Sequence, residues 1–490
     1  PVHGPHGSRL PRVLDVRHLD DGRTVRAGLS LYEQLYRRVK ADILSGRLTA
    51  GEKLPSKRAL AAHLEVSVIT VKNAYEQLMA EGYLTGVEKK GYFVSAVLPS
   101  PAAVPASPEQ PPPPREPVWF LDLATNSIAA EDFPFTVWAR LMRQTILEQG
   151  TGLLRSTPPQ GAWALRQAIA AHLRQFRAME VTAEQIIVGA GTEVLYNLLV
   201  QLLGRDRLYG VEDPGYSKAA RIYALGGART APVLVDEGGV SLRSLEMSGA
   251  QILHTSPNHQ FPTGAVTPIG RRQSLLRWAE AREGRYIIED DYDSEFRFTL
   301  RPIPTLQSID RAGRVIYVNT FSRTLAPSLR ISYMVLPKSL TERYRAQLGF
   351  YSSTVPAMEQ HTLARFLDEG YFEAHINRMR KSYRAQRDAV IDTILQSPLG
   401  EHCRVSGEDA GLHFLLTIDT KCTDHVLRAD AEGRGVRLSF LSDFALRPGS
   451  APQHTLVIHY PGIDLGRLRS ALSILEALLY FRDWKYRGRK

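Results

Sequence analysis

Residues 54–84, LPSKRALAAHLEVSVITVKNAYEQLMAEGYL, contain two helical patterns separated by a short turn. Ser56 and Ser67 each stand directly before one of these patterns, in the position from which a hydroxyl caps a helix N-terminus. In the second pattern the apolar residues Val71 and Tyr75 recur at helical spacing and form its inward face. The sequence therefore predicts a helix-turn-helix whose second helix begins just after Ser67.

The segments on either side complete a small domain. Residues 31–46, LYEQLYRRVKADILSG, carry another helical pattern, which ends at Gly46. Residues 83–97, YLTGVEKKGYFVSAV, place aromatic and β-branched residues on both sides of the sequence EKKG at 88–91, which predicts a β-hairpin. Three helices followed by a hairpin indicate a winged helix-turn-helix domain.

This domain offers a set of candidate DNA contacts. The second helix of a helix-turn-helix enters the major groove, where its first residues meet base edges and neighbouring cations meet phosphates. The candidate DNA-binding residues are Ser56, Lys57, Arg58, Ser67, Thr70, Lys72, Asn73, and, at the hairpin, Lys89, Lys90 and Gly91. The alternative is a small bundle that docks another protein and whose lysines are simply solvated.

Length and composition exclude several other classes of protein. The chain has 490 residues, 43% of them hydrophobic, which is enough for two to four domains and too apolar for a disordered chain. Its net charge of +10 is modest, and residues 32–95 carry ten cations against seven anions, only +3 of that total. Cys403 and Cys422 cannot form a disulfide framework, and no apolar run approaches about 18 residues. We therefore expect a cytoplasmic protein without a membrane span or export signal.

A proline-rich segment divides the chain. Nine prolines lie between Pro99 and Pro117, and they interrupt any helix or sheet. We therefore predict a winged helix-turn-helix domain over residues 28–96, a linker over 97–117 and a larger domain over 118–490.

The larger domain alternates short apolar runs with helical patterns. Strand-like runs lie at residues 185–189, 208–211, 251–255, 286–289 and 315–319. Helical patterns lie between them, for example at 192–203 and 271–283. This alternation predicts an α/β domain with a mostly parallel sheet, in which ligands bind beyond the carboxyl ends of the strands.

Four polar clusters follow these runs: GAGTEVL at 189–195, SPNHQFPTG at 256–264, IIEDDYDSEF at 287–296 and VNTFSRTLAPSLRISYMVLP at 318–337. Gly191 and Thr192 stand between a strand and a helix, where backbone amides and a hydroxyl can hold an anion. Taken singly, a glycine-rich turn or an acidic run is also typical of solvated loops or cation sites. We find no Walker lysine loop, which argues against a magnesium-dependent phosphotransferase.

The first of these domains resembles a known family. The sequence of residues 54–84, followed by EKKGYFV at 88–94, is similar to the winged-helix domain of the GntR regulators, and the similarity extends over residues 32–95. This resemblance implies binding to a double-stranded DNA operator. Val68 departs from it, since many members have arginine directly after the turn serine.

The four clusters, in this order, resemble the fold-type I aminotransferases and specifically the MocR subfamily, which joins a GntR domain to such a fold through a long linker. The resemblance covers residues 121–480 and implies pyridoxal phosphate as cofactor. It assigns Asp290 to the pyridine nitrogen, Tyr292 to the phenolic oxygen, Tyr216 to ring stacking and Asn258 to a position near the ring oxygen. It assigns the phosphate to Gly191, Thr192, Thr320, Ser322 and Arg330.

Arg323 departs from this family pattern. The family has lysine after the serine at this position, and a guanidinium stays protonated and does not form an imine. We therefore predict no catalytic residue and no normal transamination. Three interpretations remain open: noncovalent pyridoxal phosphate with Arg323 as another anion contact, a preformed cofactor–amino acid adduct, or a pocket without cofactor. A further possibility is that Arg323 is an introduced substitution.

A second departure concerns the substrate carboxylate. Fold-type I enzymes usually bind it with an arginine in a late strand, whereas residues 455–465 read TLVIHYPGIDL, with His459 and no arginine. Arg437 is a possible substitute, and a surface role for Arg437 is equally compatible with the sequence.

We therefore expect a transcription regulator, dimeric by resemblance, whose aminotransferase-like domain senses pyridoxal phosphate or a pyridoxal-linked amino compound as a small-molecule effector. One alternative is a working aminotransferase with an appended DNA-binding domain. Another is a constitutive DNA-binding protein whose second domain only dimerises. The sequence does not indicate the operator or whether the protein activates or represses.

Overall fold

The computed structural model describes residues 30–96, 117–125, 132–298 and 303–480. The chain divides into two compact units, with the boundary between Glu116 and Pro117. The predicted linker, residues 97–117, lies outside the described residues except for Pro117. Within the described ranges, no helix is both long and apolar enough to cross a membrane.

The described part of the N-terminal unit, residues 30–96, contains three helices and three short strands. In chain order these are α1 (Leu31–Leu44), β1 (Lys53–Leu54), α2 (Lys57–Leu64), α3 (Val68–Ala80), β2 (Leu84–Val87) and β3 (Gly91–Val94). The strands form an antiparallel sheet in the order β1-β3-β2. The predicted winged helix-turn-helix is confirmed. The additional strand β1 has only two residues, too few for an alternating pattern in the sequence.

Helix capping and one apolar core fix the helix-turn-helix. Ser56 Oγ accepts a hydrogen bond from the backbone N–H of Ala59 at 3.2 Å, and Ser67 Oγ accepts one from Thr70 at 3.0 Å. The ring of Tyr75 on α3 is fully buried in the core that all three helices share. Both helix starts therefore follow from local side-chain chemistry, while packing against α1 sets their orientation.

The C-terminal unit has thirteen strands. In chain order they are β4 (Leu121–Asp122), β5 (Ile186–Gly189), β6 (Leu208–Asp213), β7 (Arg229–Asp236), β8 (Gly239–Val240), β9 (Ile252–Thr255), β10 (Tyr286–Asp290), β11 (Val315–Thr320), β12 (Ser332–Val335), β13 (Cys403–Ser406), β14 (His413–Ile418), β15 (Val436–Arg437) and β16 (Thr455–His459), counted within the described residues. Eight of them form a sheet in the order β5-β12-β11-β10-β9-β6-β7-β8.

Most neighbouring strands of this sheet are parallel, which confirms the predicted α/β class. The strand β12 is antiparallel to both of its neighbours, and β8 is antiparallel to β7. A smaller antiparallel sheet has the order β13-β14-β16, and β4 pairs with β15. The sequence did not predict this smaller sheet.

Helices cover both faces of the large sheet. In chain order the helices of this unit are α4 (Phe135–Gln149), α5 (Trp163–Arg177), α6 (Thr192–Leu203), α7 (Ser217–Leu225), α8 (Leu242–Ser248), α9 (Ile269–Glu280), α10 (Leu306–Ile309), α11 (Lys338–Leu348), α12 (Ala357–Asp368), α13 (Tyr371–Leu395), α14 (Asp424–Glu432) and α15 (Leu465–Leu479). Ile288 of β10 packs in one core cluster with α6, and its neighbour Ile287 packs in another with α9. Successive strand residues point to opposite faces, so α6 and α9 lie on opposite sides.

Strand register brings the polar clusters to one edge of the sheet. The strands β9, β10 and β11 are parallel and end at Thr255, Asp290 and Thr320. Ser332 of β12 pairs with Thr320 on one side and with Gly189 on the other. The loop after β5 therefore lies beside the loop after β11, and both lie near the end of β10.

Candidate cofactor pocket and nucleic-acid interface

Asp290 is buried at the end of β10 and is held through one oxygen only. Its Oδ2 atom accepts a hydrogen bond from the Tyr196 hydroxyl at 2.6 Å and lies 3.4 Å from His254 Nε2. Its Oδ1 atom is buried and has no hydrogen-bond partner in the described part of the chain. A buried acceptor in this state is costly unless a ligand satisfies it. The carboxylate therefore fits a group that supplies one N–H, such as a protonated pyridine ring.

Gly191 and the Arg330 guanidinium lie against each other at the start of α6. Gly191 has φ 93°, and a Cβ atom at this position would lie 2.1 Å from Arg330 Nη2. Only glycine therefore lets this guanidinium lie against the backbone. Thr192 is the first residue of α6, where free amides attract anions. Arg330 is half exposed and has one weak ionic partner, Glu193, at 3.6 Å.

The loop after β11 adds hydroxyls beside this site. Thr320 Oγ1 accepts hydrogen bonds from the Ser322 backbone N–H at 3.1 Å and from Ser332 Oγ at 2.7 Å. The Ser322 hydroxyl oxygen is buried and has no hydrogen-bond partner among the described residues. The predicted phosphate residues therefore include one unsatisfied hydroxyl and one guanidinium with spare donors, which fits a phosphate group.

Phe261 and Tyr292 line a small cavity, and Tyr216 contacts Phe261. Tyr216, at the start of α7, contacts Phe261 edge-on with ring centroids 6.4 Å apart, and Phe261 contacts Tyr292 in the same way at 6.3 Å. The Tyr292 hydroxyl lies 3.2 Å from His259 Nδ1. Burial raises the pKa of Tyr292 well above its ordinary value, so this group is a neutral phenol that can donate a hydrogen bond. Phe261 could not be singled out from the sequence, because one aromatic residue in a turn-rich loop carries no distinctive pattern.

Arg323 is half-buried and faces a small cavity. The cavity is lined by Phe261, Tyr292, Asp293, Arg323, Leu412, His413 and His459. Within the described ranges, Arg323 forms no ion pair with any carboxylate. The residue that replaces the expected lysine is therefore an unpaired cation directed at the pocket.

His413 and His459 line the same cavity as Arg323, and their charge state follows mainly from burial. His413 Nε2 donates to the Pro262 carbonyl at 3.0 Å, and burial lowers the pKa of His413 well below its ordinary value. Burial and the nearby Arg323 charge lower the pKa of His459 to about 3. His259, Asp293 and His413 place possible ligand atoms within 4.8 Å of one another. We assign no metal to them, because Arg323 on the same cavity disfavours a cation.

The side chains of Asn258 and Arg437 already bind other side chains of the protein. The Asn258 amide lies 2.8 Å from Asp291 Oδ1, and its carbonyl oxygen accepts from Arg272 at 2.9 Å. The expected contact between Asn258 and the ring oxygen stays a prediction, and it would require these two bonds to change. Arg437 pairs with Asp122 at 3.2 Å on the partly exposed strands β15 and β4.

Two glutamates near Asp291 make the free energy of unfolding depend on pH. Burial, reinforced by the Asp291 charge, raises the pKa of Glu295 to about 7, whereas an unfolded glutamate titrates near about 4.3. The folded state therefore holds more protons between these values, and stability falls as pH rises from about 4.5 through 7. Glu289, whose pKa is also raised to about 7, acts in the same direction.

We expect Glu295→Gln to flatten this dependence, because glutamine keeps the shape of the side chain and cannot titrate. Urea unfolding at several pH values between about 4.5 and 7 measures the slope. The exposed Glu369→Gln variant is the control and should keep the original slope. An unchanged slope in Glu295→Gln would contradict the assignment.

The helices α2 and α3 and the hairpin present most of the predicted DNA contacts to solvent. The Ser56 and Ser67 hydroxyls cap α2 and α3, so each oxygen already accepts one backbone hydrogen bond. Lys57 and Lys72 both approach Glu76 Oε1, at 3.7 and 3.8 Å. The exposed predicted residues are Ser56, Arg58, Ser67, Lys72, Asn73, Lys89 and Lys90, while Lys57, Thr70 and Gly91 are half-buried.

Two apolar residues at the start of α3 add to this surface. Val68 is 45% exposed and Ile69 is 68% exposed, in the first turn of the predicted recognition helix. Exposed aliphatic groups at this position suit contact with thymine methyl groups in the major groove. The DNA contacts predicted from the sequence do not include Ile69, because the exposure of an aliphatic residue is not visible in the sequence pattern.

Comparisons with known proteins agree with both units. The family described as "Bacterial regulatory proteins, gntR family" matches residues 31–94, and "Aminotransferase class I and II" matches residues 120–427. The uncharacterized HTH-type transcriptional regulator YdeL of Bacillus subtilis (strain 168) is 37% identical over 92% of this chain and 96% of its own. The probable rhizopine catabolism regulatory protein MocR of Rhizobium meliloti is 33% identical over 92% and 94%, respectively.

A third relative is the HTH-type pyridoxine biosynthesis transcriptional regulator PdxR of Corynebacterium glutamicum, 32% identical over 91% of this chain and 95% of its own. Among solved structures, Pyrococcus horikoshii kynurenine aminotransferase has a TM-score of 0.65 at 21% identity, covering 74% of this chain and 92% of that one. Thermus thermophilus LysN, complexed with N-(5'-phosphopyridoxyl)-L-leucine, has a TM-score of 0.64 at 24% identity, with the same coverage. At these identities, the likeness to the enzymes shows the fold alone.

The two units together define a DNA-binding transcription regulator with an aminotransferase-like domain. The chain belongs to the MocR-type GntR regulators. The predicted family, fold class and regulatory function are therefore confirmed.

Proposed function

We propose that the C-terminal domain binds pyridoxal phosphate, or an amino compound linked to it, without a covalent bond and reports this to the DNA-binding domain. The unpartnered Asp290 Oδ1 atom carries the proposal, because a buried carboxylate oxygen facing no donor fits a protonated ring nitrogen. The unpartnered Ser322 hydroxyl and the Gly191–Arg330 approach support a phosphate at the other end.

Each residue then has a distinct part in holding the group. Asp290 would keep the ring nitrogen protonated, Tyr292 would donate to the phenolic oxygen, and Tyr216 would stack on the ring. The phosphate contacts would come from Gly191, Thr192, Thr320, Ser322 and Arg330. When bound, pyridoxal phosphate supplies an electron-withdrawing ring with a reactive aldehyde.

Arg323 separates this protein from a working aminotransferase. Its guanidinium stays charged, so it neither forms an imine nor accepts a proton from a substrate carbon. Two lysines of this unit are candidate alternatives to residue 323. Lys218 pairs with Glu193 near the proposed phosphate site, and Lys338 lies at the start of α11. We therefore propose ligand sensing rather than amine transfer for this domain.

DNA recognition would follow the usual geometry of winged helix-turn-helix proteins. The first turn of α3 would read bases in the major groove, and Lys89 and Lys90 of the hairpin would contact phosphates. A homodimer would present two such modules to two half-sites, and ligand binding would favour one arrangement of the domains over another. A bacterial regulator of this kind would act in the cytoplasm.

Restoring lysine tests the cofactor proposal. With pyridoxal phosphate, we expect Arg323→Lys to develop a Schiff-base absorption band and to retain the cofactor after borohydride reduction and denaturation. The unaltered protein should release it, because it lacks an amine at this position. Mass spectrometry of the reduced proteins measures the difference. Stoichiometric trapping on the unaltered chain would refute noncovalent binding, and amine transfer above background would favour the aminotransferase alternative.

Two lysine-to-alanine variants test the proposed DNA-binding surface. We expect Lys89→Ala to weaken operator binding and to reduce the slope of log affinity against log salt by about one unit, because one phosphate contact is lost. Lys338→Ala removes the same charge from an exposed site in the other unit and should leave the slope unchanged. Equal slopes for Lys89→Ala and the unaltered protein would remove Lys89 from the interface.

A further inference from the structure

Arg323 has no counter-ion among the residues that the structure describes. It is half-buried, it cannot lose its proton, and none of the described carboxylates pairs with it. Partial burial of an unpaired charge is unfavourable. A ligand that brings a negative charge to this cavity would remove the penalty, whereas a ligand without one would leave it.

Asp293 is the carboxylate on the same cavity, and it is committed to a histidine. Both of its oxygens lie against His259 Nδ1, at 3.0 and 3.2 Å. It lies outside ion-pair distance of the Arg323 guanidinium, since no such pair within 4.0 Å occurs among the described residues. Asp293 therefore does not neutralise Arg323 at contact distance.

His459 provides a second polar group on this cavity. It is 8% exposed, and its Nδ1 atom is buried without a hydrogen-bond partner among the described residues. It pairs in register with His413, whose Nε2 atom is already bound to the Pro262 carbonyl. Its imidazole is neutral, so it can donate one N–H to an anion without adding a second positive charge.

We propose that Arg323 and His459 together bind a carboxylate carried by the cofactor-derived ligand, and that this pair makes the domain select carboxylate-bearing forms over similar phosphorylated forms that lack a carboxylate. The inference rests on the proposed function, since it takes the ring at Asp290 and the phosphate at Arg330 as fixed ends. Arginine and carboxylate form paired, charge-assisted hydrogen bonds, which an aldehyde cannot match. An ammonium group, as in pyridoxamine phosphate, would be repelled by Arg323.

Two chemical sources supply such a carboxylate. In 4-pyridoxic acid 5′-phosphate it is attached directly to the ring, in place of the aldehyde. In an N-(5′-phosphopyridoxyl) amino acid it is attached to the amino acid carbon, as in the leucine compound named for the LysN structure. Both keep the ring nitrogen and the phosphate, so they differ from pyridoxal phosphate only near Arg323. Neither requires a covalent bond to the protein.

Isothermal titration of the full chain with four probes tests the inference. The probes are the two carboxylates above, with N-(5′-phosphopyridoxyl)-L-leucine as the amino acid form, and two compounds without a carboxylate, pyridoxine 5′-phosphate and pyridoxamine 5′-phosphate. We expect at least one carboxylate probe to bind about tenfold or more tighter than pyridoxine 5′-phosphate, as charge-assisted hydrogen bonds imply. The tighter of the two carboxylates identifies the source.

Three variants separate the parts of the site. Arg323→Gln should abolish the preference, leaving all probes with similar affinity, and His459→Gln should reduce it while sparing pyridoxine 5′-phosphate. Arg330→Gln should weaken all four probes alike, because all carry the phosphate. Circular dichroism and a cooperative urea unfolding transition check that each variant is folded.

The outcomes distinguish the two levels of the proposal. Equal binding of carboxylate and non-carboxylate probes to the unaltered chain, or a preference that survives Arg323→Gln, would overturn the carboxylate inference and leave the proposed function intact. Failure of every phosphorylated probe to bind the folded protein would overturn both.

Discussion

Asp290→Asn should lower the affinity of the protein for pyridoxal phosphate on the order of 100-fold. Asp290 is buried, its Oδ2 atom is fixed by Tyr196, and its Oδ1 atom is free to accept from a charged ring nitrogen. Asparagine keeps the shape but removes the charge, and hydrogen bonds to charged groups contribute about 1.5 to 3 kcal/mol. Isothermal titration at fixed pH and salt measures the loss.

The matched control is Asp236→Asn. Asp236 pairs with Arg271 at 3.0 Å on the surface and is about half exposed, so the same chemical change there should leave ligand affinity unaltered. Ligand-induced thermal stabilisation provides a second measurement, because a ligand that binds only the folded state raises the unfolding temperature. Unchanged affinity in Asp290→Asn would show that the ring nitrogen does not bind at this carboxylate.

Arg177→Met should destabilise the C-terminal unit by about 3 to 5 kcal/mol. Arg177, at the end of α5, donates to the Asp291 carboxylate, and both side chains are at least nine-tenths buried. Asp291 also accepts from the Tyr317 hydroxyl at 2.6 Å, which does not replace the lost charge. Removing the arginine leaves a buried, uncompensated carboxylate. Urea unfolding of the full chain measures the loss in the transition of this unit.

Two further variants test the physical reason. The double variant Arg177→Met with Asp291→Asn should recover part of the loss, since it removes the uncompensated charge as well. Arg365→Met breaks a more exposed pair with Glu148 and should cost no more than about 1 kcal/mol. A single Arg177→Met variant as stable as Arg365→Met would show that the buried ion pair contributes little.

Local patterns in the sequence predicted much of the fold. The helices α1, α2 and α3 and the hairpin of β2 and β3 were visible because caps and apolar spacing act within a few residues. The strand runs that became β5, β6, β9, β10 and β11 were visible because buried parallel strands are continuously apolar. The sequence did not reveal the antiparallel strand β12 or the sheet of β13, β14 and β16, because strand order depends on packing between distant segments.

The residues of the candidate site were also predictable only in part. The clusters that carry Asp290, Gly191 and Ser322 could be selected from the sequence, since ligands bind where parallel strands end. The sequence could not show that the Asn258 side chain is already hydrogen-bonded to Asp291 and Arg272. It also could not show that Phe261 lies among the aromatic residues of the pocket. Both depend on which side chains the fold brings into contact, and neither residue type has a fixed preference for such a place.

The sequence by itself determined that residue 323 is an arginine where the family resemblance predicts a lysine, because that comparison depends on the identity of one residue. It also determined the winged helix-turn-helix, whose caps and core spacing are local. Only the tertiary structure decided that one oxygen of Asp290 is free, that Arg323 has no counter-ion in the described chain, and that His459 lies on the same cavity. These properties arise from burial and from contacts between distant segments, which no local pattern encodes.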